Sequence, residues 1–138
     1  MLCFAPLVLA GHLFTVQTPW HQTNNYDGPV VEVQSCESGV GLHAKASSTG
    51  LYGTGLHYGF TKEVGDFSIT FQPKAGISYV DRPEPALPLR TQFEVGAQLL
   101  IGLADFRVSV EYWHLSNAGL RSPNIGLDMI GVTTGWVF

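Results

Sequence analysis

The sequence predicts an all-β fold: an eight-stranded, antiparallel, up-and-down β-barrel that crosses a membrane. Three observations carry this. Apolar residues recur at period two along most of the chain, which is the periodicity of strands. The chain is apolar yet poor in charge, with 45% hydrophobic and 13% charged residues, about half the charge of an ordinary soluble domain. No window holds the ~18 uncharged apolar residues of a membrane helix. Apolar character spread along alternating segments belongs to strands with one face against hydrocarbon.

At 138 residues the chain makes one domain. Residues 1–11 read as a signal-peptide remnant or a short N-terminal segment, and 12–138 as the barrel. Met1–Ala10 (MLCFAPLVLA) has the apolar core of a leader, followed by the small residues Ala10 and Gly11, without a basic start. Thr18–Gly28 (TPWHQTNNYDG) is polar and reads as a loop. Strands are expected at Pro29–Cys36, Ser38–Ala46, Leu51–Phe60, Asp66–Gln72, Lys74–Val80, Gln92–Leu103, Asp105–His114 and Leu127–Phe138. The first two could instead form one bent strand, with the true first strand near His12–Gln17. Tight turns are expected at Val64-Gly65, Pro73 and Leu103-Ala104-Asp105. Asp81–Thr91 and Ser116–Gly126 are long connections. Short turns at one end and long loops at the other are the pattern of outer-membrane barrels, with the long loops outside.

Each strand has one bulky apolar face. Phe93, Val95, Ala97, Leu99, Ile101 and Leu103 share a side; Gln92, Glu94, Gly96, Gln98 and Gly102 share the other. Phe106, Val108, Val110 and Tyr112 likewise oppose Arg107, Ser109 and Glu111. A soluble barrel turns such a face inward, whereas a membrane barrel turns it toward lipid and fills its narrow lumen with small and polar groups. Strand length favours the membrane case, since a spanning strand needs about 9–11 residues. So do aromatics near strand ends (Phe60, Tyr112, Trp113, Trp136, Phe138), as in interfacial girdles, and a terminal strand closing on Phe138.

Composition also excludes classes. The net charge is −4 and basic residues are scattered, so no basic footprint for nucleic acid exists. The five histidines are dispersed and no CxxC spacing occurs, so neither a metal nor another cofactor is expected. Cys3 and Cys36 read as unpaired thiols.

The chemistry concentrates in His114-Leu115-Ser116-Asn117-Ala118-Gly119-Leu120 and the strand that follows. Residues two apart on a strand point the same way, roughly 6.6 Å apart, so His114 can serve as base to Ser116. A serine hydroxyl needs such a base at neutral pH, and the base needs an orienting carboxylate. His114 and Ser116 have the parity of Tyr112, and Asp128 has the parity of Ile130, Val132 and Trp136. All therefore belong to the apolar face near the outer rim. Singly, a histidine at a strand end is an ordinary interfacial residue, and a serine or aspartate beside a loop is turn chemistry. Their joint parity argues for a site, because polar groups facing lipid are costly unless they serve one another.

The stretch His114–Asp128 (HLSNAGLRSPNIGLD) resembles the signature of the lipid A 3-O-deacylases, outer-membrane barrel esterases. That family carries His-x-Ser-Asn on its penultimate strand and an acid on the last, usually Glu, fourteen positions after the His. Here that position is Asp128, one methylene shorter. The resemblance extends more weakly over Gln92–Phe138 and is architectural upstream. It implies Ser116 as nucleophile, His114 as general base and Asp128 as orienter. It also implies that Asn117 or Asn124 positions the site or binds the oxyanion. The expected reaction is hydrolysis of an ester-linked 3-hydroxyacyl chain of lipid A at the outer leaflet of the bacterial outer membrane. The expected partners are lipopolysaccharide and outer-membrane lipids, with a homodimer left open. The alternatives are a non-enzymatic outer-membrane barrel, structural or adhesive, and a soluble lipid-binding barrel.

Overall fold

The computed structural model describes residues 10–19, 29–83, 87–122 and 126–137. They form β1 (Ala10–Pro19), β2 (Pro29–Gln34), β3 (Gly39–Ser47), β4 (Leu51–Val64), β5 (Phe67–Val80), β6 (Thr91–Leu103), β7 (Phe106–Ser116) and β8 (Leu127–Trp136). Every strand pairs antiparallel with its sequence neighbour, and β1 pairs with β8, so the sheet closes as an eight-stranded up-and-down barrel. Closure leaves no unpaired edge, which a spanning sheet requires because lipid offers no hydrogen-bond partners.

The expected eight strands differ in detail from these eight. Asp66–Gln72 and Lys74–Val80 are one strand, β5, which runs straight through Pro73. Pro73 still faces Ala97 on β6. On the other side the β4–β5 pairing passes from His57↔Lys74 to Phe60↔Phe71, skipping the proline. A proline lacks the N–H for one ladder bond, and here the ladder absorbs that loss without turning. The place so vacated in the count is taken by β1, close to the alternative first strand near His12–Gln17. Pro29–Cys36 and Ser38–Ala46 correspond to two paired strands, β2 and β3, rather than one bent strand. The loop expected at Thr18–Gly28 lies almost wholly outside the described residues, as do Cys3 and the terminal Phe138.

The wall faces outward as the parity requires. Tyr52, Leu56, Phe60, Phe71, Ile77, Phe93, Val95, Leu99, Ile101, Val110 and Val132 are all exposed, and they cover the exterior with apolar side chains. Inside, the lumen is filled with polar groups. Gln34 Nε2 donates to Gln98 Oε1 at 2.8 Å, and Gln98 Nε2 donates to Ser109 Oγ at 2.7 Å, joining β2, β6 and β7 across the bore. Lys74 bridges Glu32 and Glu111. Lys45 pairs with Glu94 and sits 3.0 Å from the centre of the Trp113 ring. Buried charges persist only when paired in this way. A soluble lipid-binding barrel needs an apolar, open interior, so the polar, occupied lumen overturns that alternative.

Toward the long-loop end the lumen changes character. Val30, Leu51, Val80, Leu87, Trp113, Leu115, Leu127 and Met129 form a buried apolar plug. Leu87, from the connection between β5 and β6, is fully buried in it. Trp113 is therefore not part of an outer aromatic girdle, as had been expected: it is 1% exposed and turned inward, because its parity is opposite to that of Tyr112. Cys36 is also not a free thiol; it is disulfide-bonded.

Candidate active site

Strands β7 and β8 alternate between the plug and the outer wall. Trp113 and Leu115 point inward from β7, and Leu127 and Met129 from β8, with Trp113↔Met129 and Leu115↔Leu127 as cross-strand pairs. Between them, His114 and Asp128 point outward and stand directly opposite each other. The apolar plug thus fixes the backbone from behind, while the polar groups emerge on the lipid-facing side near the long loops.

His114 Nδ1 and Asp128 Oδ1 lie 2.8 Å apart. Their side chains are 34% and 44% exposed, so the pair is partly desolvated yet reachable from outside. With Nδ1–H donated to the carboxylate, Nε2 carries the lone pair of a neutral imidazole. The shorter acid therefore reaches the histidine. Directly opposed residues of an antiparallel ladder have Cβ atoms only about 4.5–5.5 Å apart.

Ser116 lies two residues beyond His114 on the same outward face, opposite Phe93 of β6 and half-exposed. Among the described residues no hydrogen bond joins it to His114.

Asn117 turns inward and is 1% exposed. Its Oδ1 accepts from Gly119 N–H at 2.9 Å, and its Nδ2 donates to the Arg121 carbonyl at 2.8 Å. Leu120 N–H returns to the Asn117 carbonyl at 3.0 Å. These bonds hold the turn through Ala118 and Gly119, both at positive φ (52° and 78°). Asn117 thereby shapes the loop just past Ser116. Asn124 lies outside the described residues.

Two further groups touch the site that the sequence reading did not assign to it, Gly126 having read as an ordinary loop residue. Tyr112, on the same face, donates its hydroxyl to Asp128 Oδ1 at 2.6 Å. It read as a wall aromatic, although its parity with His114 was the available clue. Gly126 sits against the histidine ring at φ +76°, where an added Cβ would fall 2.9 Å from His114 Cε1 and 3.4 Å from Nε2. Among the described residues no cluster of histidine, cysteine and acidic side chains could hold a metal.

Residues 10–137 match the family model for lipid A 3-O-deacylase (PagL). No curated protein matches the chain significantly. Among solved structures, the crystal structure of the outer membrane enzyme PagL superimposes with a TM-score of 0.58 at 15% sequence identity, covering 91% of this chain and 86% of that one. At that identity the likeness speaks for the barrel fold, and the family match over nearly the whole chain speaks for descent. With its apolar exterior and polar lumen, the molecule is a barrel of the bacterial outer membrane. The chain belongs to the lipid A 3-O-deacylase (PagL) family.

Proposed function

We propose that this barrel is a serine esterase that removes an ester-linked 3-hydroxyacyl chain from lipid A at the outer leaflet. The observation that carries the reading is the His114–Asp128 hydrogen bond of 2.8 Å on the lipid-facing wall, beside Ser116. Ordinary lipid-facing positions hold apolar side chains, and a hydrogen-bonded imidazole and carboxylate there cost stability. A reaction on a membrane lipid that approaches laterally accounts for that cost.

In this mechanism Ser116 Oγ attacks the ester carbonyl while His114 Nε2 takes the hydroxyl proton. Asp128 keeps the imidazole in the required tautomer and stabilises the imidazolium that forms. The tetrahedral oxyanion is met by backbone N–H groups of the loop past Ser116 or by the amide of Asn124, while Asn117 positions that loop. The C–O bond to the sugar then breaks, and His114 returns its proton to the departing sugar hydroxyl. Water, deprotonated by His114, attacks the acyl-serine, and the serine hydroxyl is regenerated as the 3-hydroxy fatty acid leaves. The polar partners in this reading are lipopolysaccharide and the surrounding outer-membrane lipids.

The test is mass spectrometry of lipid A from cells producing the wild type, Ser116→Ala or His114→Ala. The wild type should shorten lipid A by one 3-hydroxyacyl chain, and either variant should leave it intact. A correctly folded wild-type barrel that leaves lipid A unchanged would make this a structural or adhesive member of the fold.

A further inference from the structure

We infer that Tyr112 is a positioning residue of this site, whose hydroxyl holds the Asp128 carboxylate in line with His114. The inference rests on the hydrolase reading above and adds a group to it.

The geometry is specific. Tyr112 stands opposite Ile130 on β8, so Asp128 is its diagonal neighbour, one pleat repeat toward the long loops. A diagonal neighbour lies within reach of a long aromatic side chain. The Tyr112 hydroxyl ends 2.6 Å from Asp128 Oδ1, and His114 Nδ1 ends 2.8 Å from that same oxygen. One carboxylate oxygen is thus held by two donors from one strand, from below by the phenol and from across by the imidazole.

This arrangement has a consequence for the base. An aspartate that is 44% exposed on an outer wall can turn about its Cα–Cβ and Cβ–Cγ bonds. Turning would release Nδ1 and let the neutral imidazole move its proton to Nε2, the nitrogen that must accept from serine. The tyrosine hydroxyl opposes that rotation. An anchoring aromatic of the membrane interface presents its hydroxyl to headgroups or water. Here the ring is 45% exposed on the wall, but the hydroxyl is spent on the site's own acid. Tyr112 acts through Asp128 and has no need to touch substrate.

The test uses the folded full-length barrel in detergent micelles, as wild type, Tyr112→Phe, Asp128→Asn and the double variant. Phenylalanine keeps the ring on the wall and removes only the hydroxyl. The expected result is a fall in kcat of about tenfold for Tyr112→Phe, the scale of one hydrogen bond to a charged group, with KM unchanged within about twofold. In the Asp128→Asn background the same substitution should change nothing, because its route is already cut. In nitrogen-15 spectra of the histidines, neutral His114 should be the Nδ1–H tautomer in the wild type and a mixture in Tyr112→Phe. The inference is overturned if Tyr112→Phe keeps the single tautomer, or if it lowers kcat by the same factor with Asn at position 128. Wild-type and Ser116→Ala barrels that both leave lipid A intact would instead remove the hydrolase reading, and the tautomer comparison then decides the role of Tyr112 alone.

Discussion

Asp128 stands directly opposite His114 across the β7–β8 ladder, and this register makes a one-methylene acid long enough. The plug residues Leu115 and Leu127 pair on the inner side of the same two strands, so a slip of register would have to unpack the lumen. Asp128→Asn preserves size but removes the charge that favours the right tautomer. It should lower kcat by about 10²–10⁴-fold with the barrel still folded. Asp128→Glu extends an exposed side chain that has room to fold back, and should keep activity within about tenfold. Initial rates of fatty-acid release measure both, and an Asn variant as fast as the wild type would remove Asp128 from the mechanism.

Gly126 makes a second demand on the same ring. Its φ of +76° already disfavours a side chain, and an added methyl would press on His114 Cε1 and on the Leu115 carbonyl, each 2.9 Å away. Alanine at a left-handed position costs about 1–2 kcal/mol, which a closed barrel can absorb. The displaced imidazole is the larger effect, since a shift near 1 Å in a reacting group costs about 10²-fold. Gly126→Ala should therefore fold, and release fatty acid about 10- to 100-fold more slowly. Unaltered kinetics in a folded Gly126→Ala barrel would show that the ring has slack on that side.

Much of this was legible in the chain because period two is a strong constraint. Parity alone put His114, Ser116 and Asp128 on one face with Tyr112, and Glu111 and Ser109 on the other, as observed. Parity also contradicted the grouping of Trp113 with outer aromatics; proximity in sequence to Tyr112 was the misleading cue. Pro73 misled for a different reason. A proline signals a turn when the ladder needs its N–H, and only the three-dimensional pairing shows that β4 skips that position. The contacts of Tyr112 and Gly126 were not readable, because a diagonal reach and a ring packed on a glycine depend on register and loop path rather than on residue type.

Asn117 links strand order to loop shape. Its buried amide satisfies Gly119 N–H and the Arg121 carbonyl, groups that would otherwise lack these partners at the mouth of the plug. Asn117→Ala removes both bonds, and a buried polar group left unsatisfied costs about 1–3 kcal/mol. The expected outcome is a barrel that still folds, with faster amide hydrogen exchange at Gly119 and Leu120 and a loss of activity exceeding the loss of stability. Exchange rates equal to wild type would show that the turn holds itself without the amide.

Lys74 tests whether the lumen and the outer wall are energetically separate. Its ammonium lies between Glu32 and Glu111, and all three side chains are buried. Lys74→Met leaves two carboxylates facing each other across a narrow bore with their shared cation gone. Breaking one side of a buried ion pair costs about 3–5 kcal/mol, so the urea midpoint in micelles should fall markedly. Neutralising the partners as well, with Glu32→Gln and Glu111→Gln added, removes the unpaired charge and should recover most of the loss, even though the ion pairs are absent. The site lies on the opposite side of the wall, held by the apolar plug rather than by this triad. Turnover per folded molecule should therefore match the wild type in both variants at low urea. A Lys74→Met barrel as stable as the wild type would mean that other lumenal groups already neutralise the acids. A specific loss of turnover in the stable triple variant would show that the lumenal network reaches through β7 to His114.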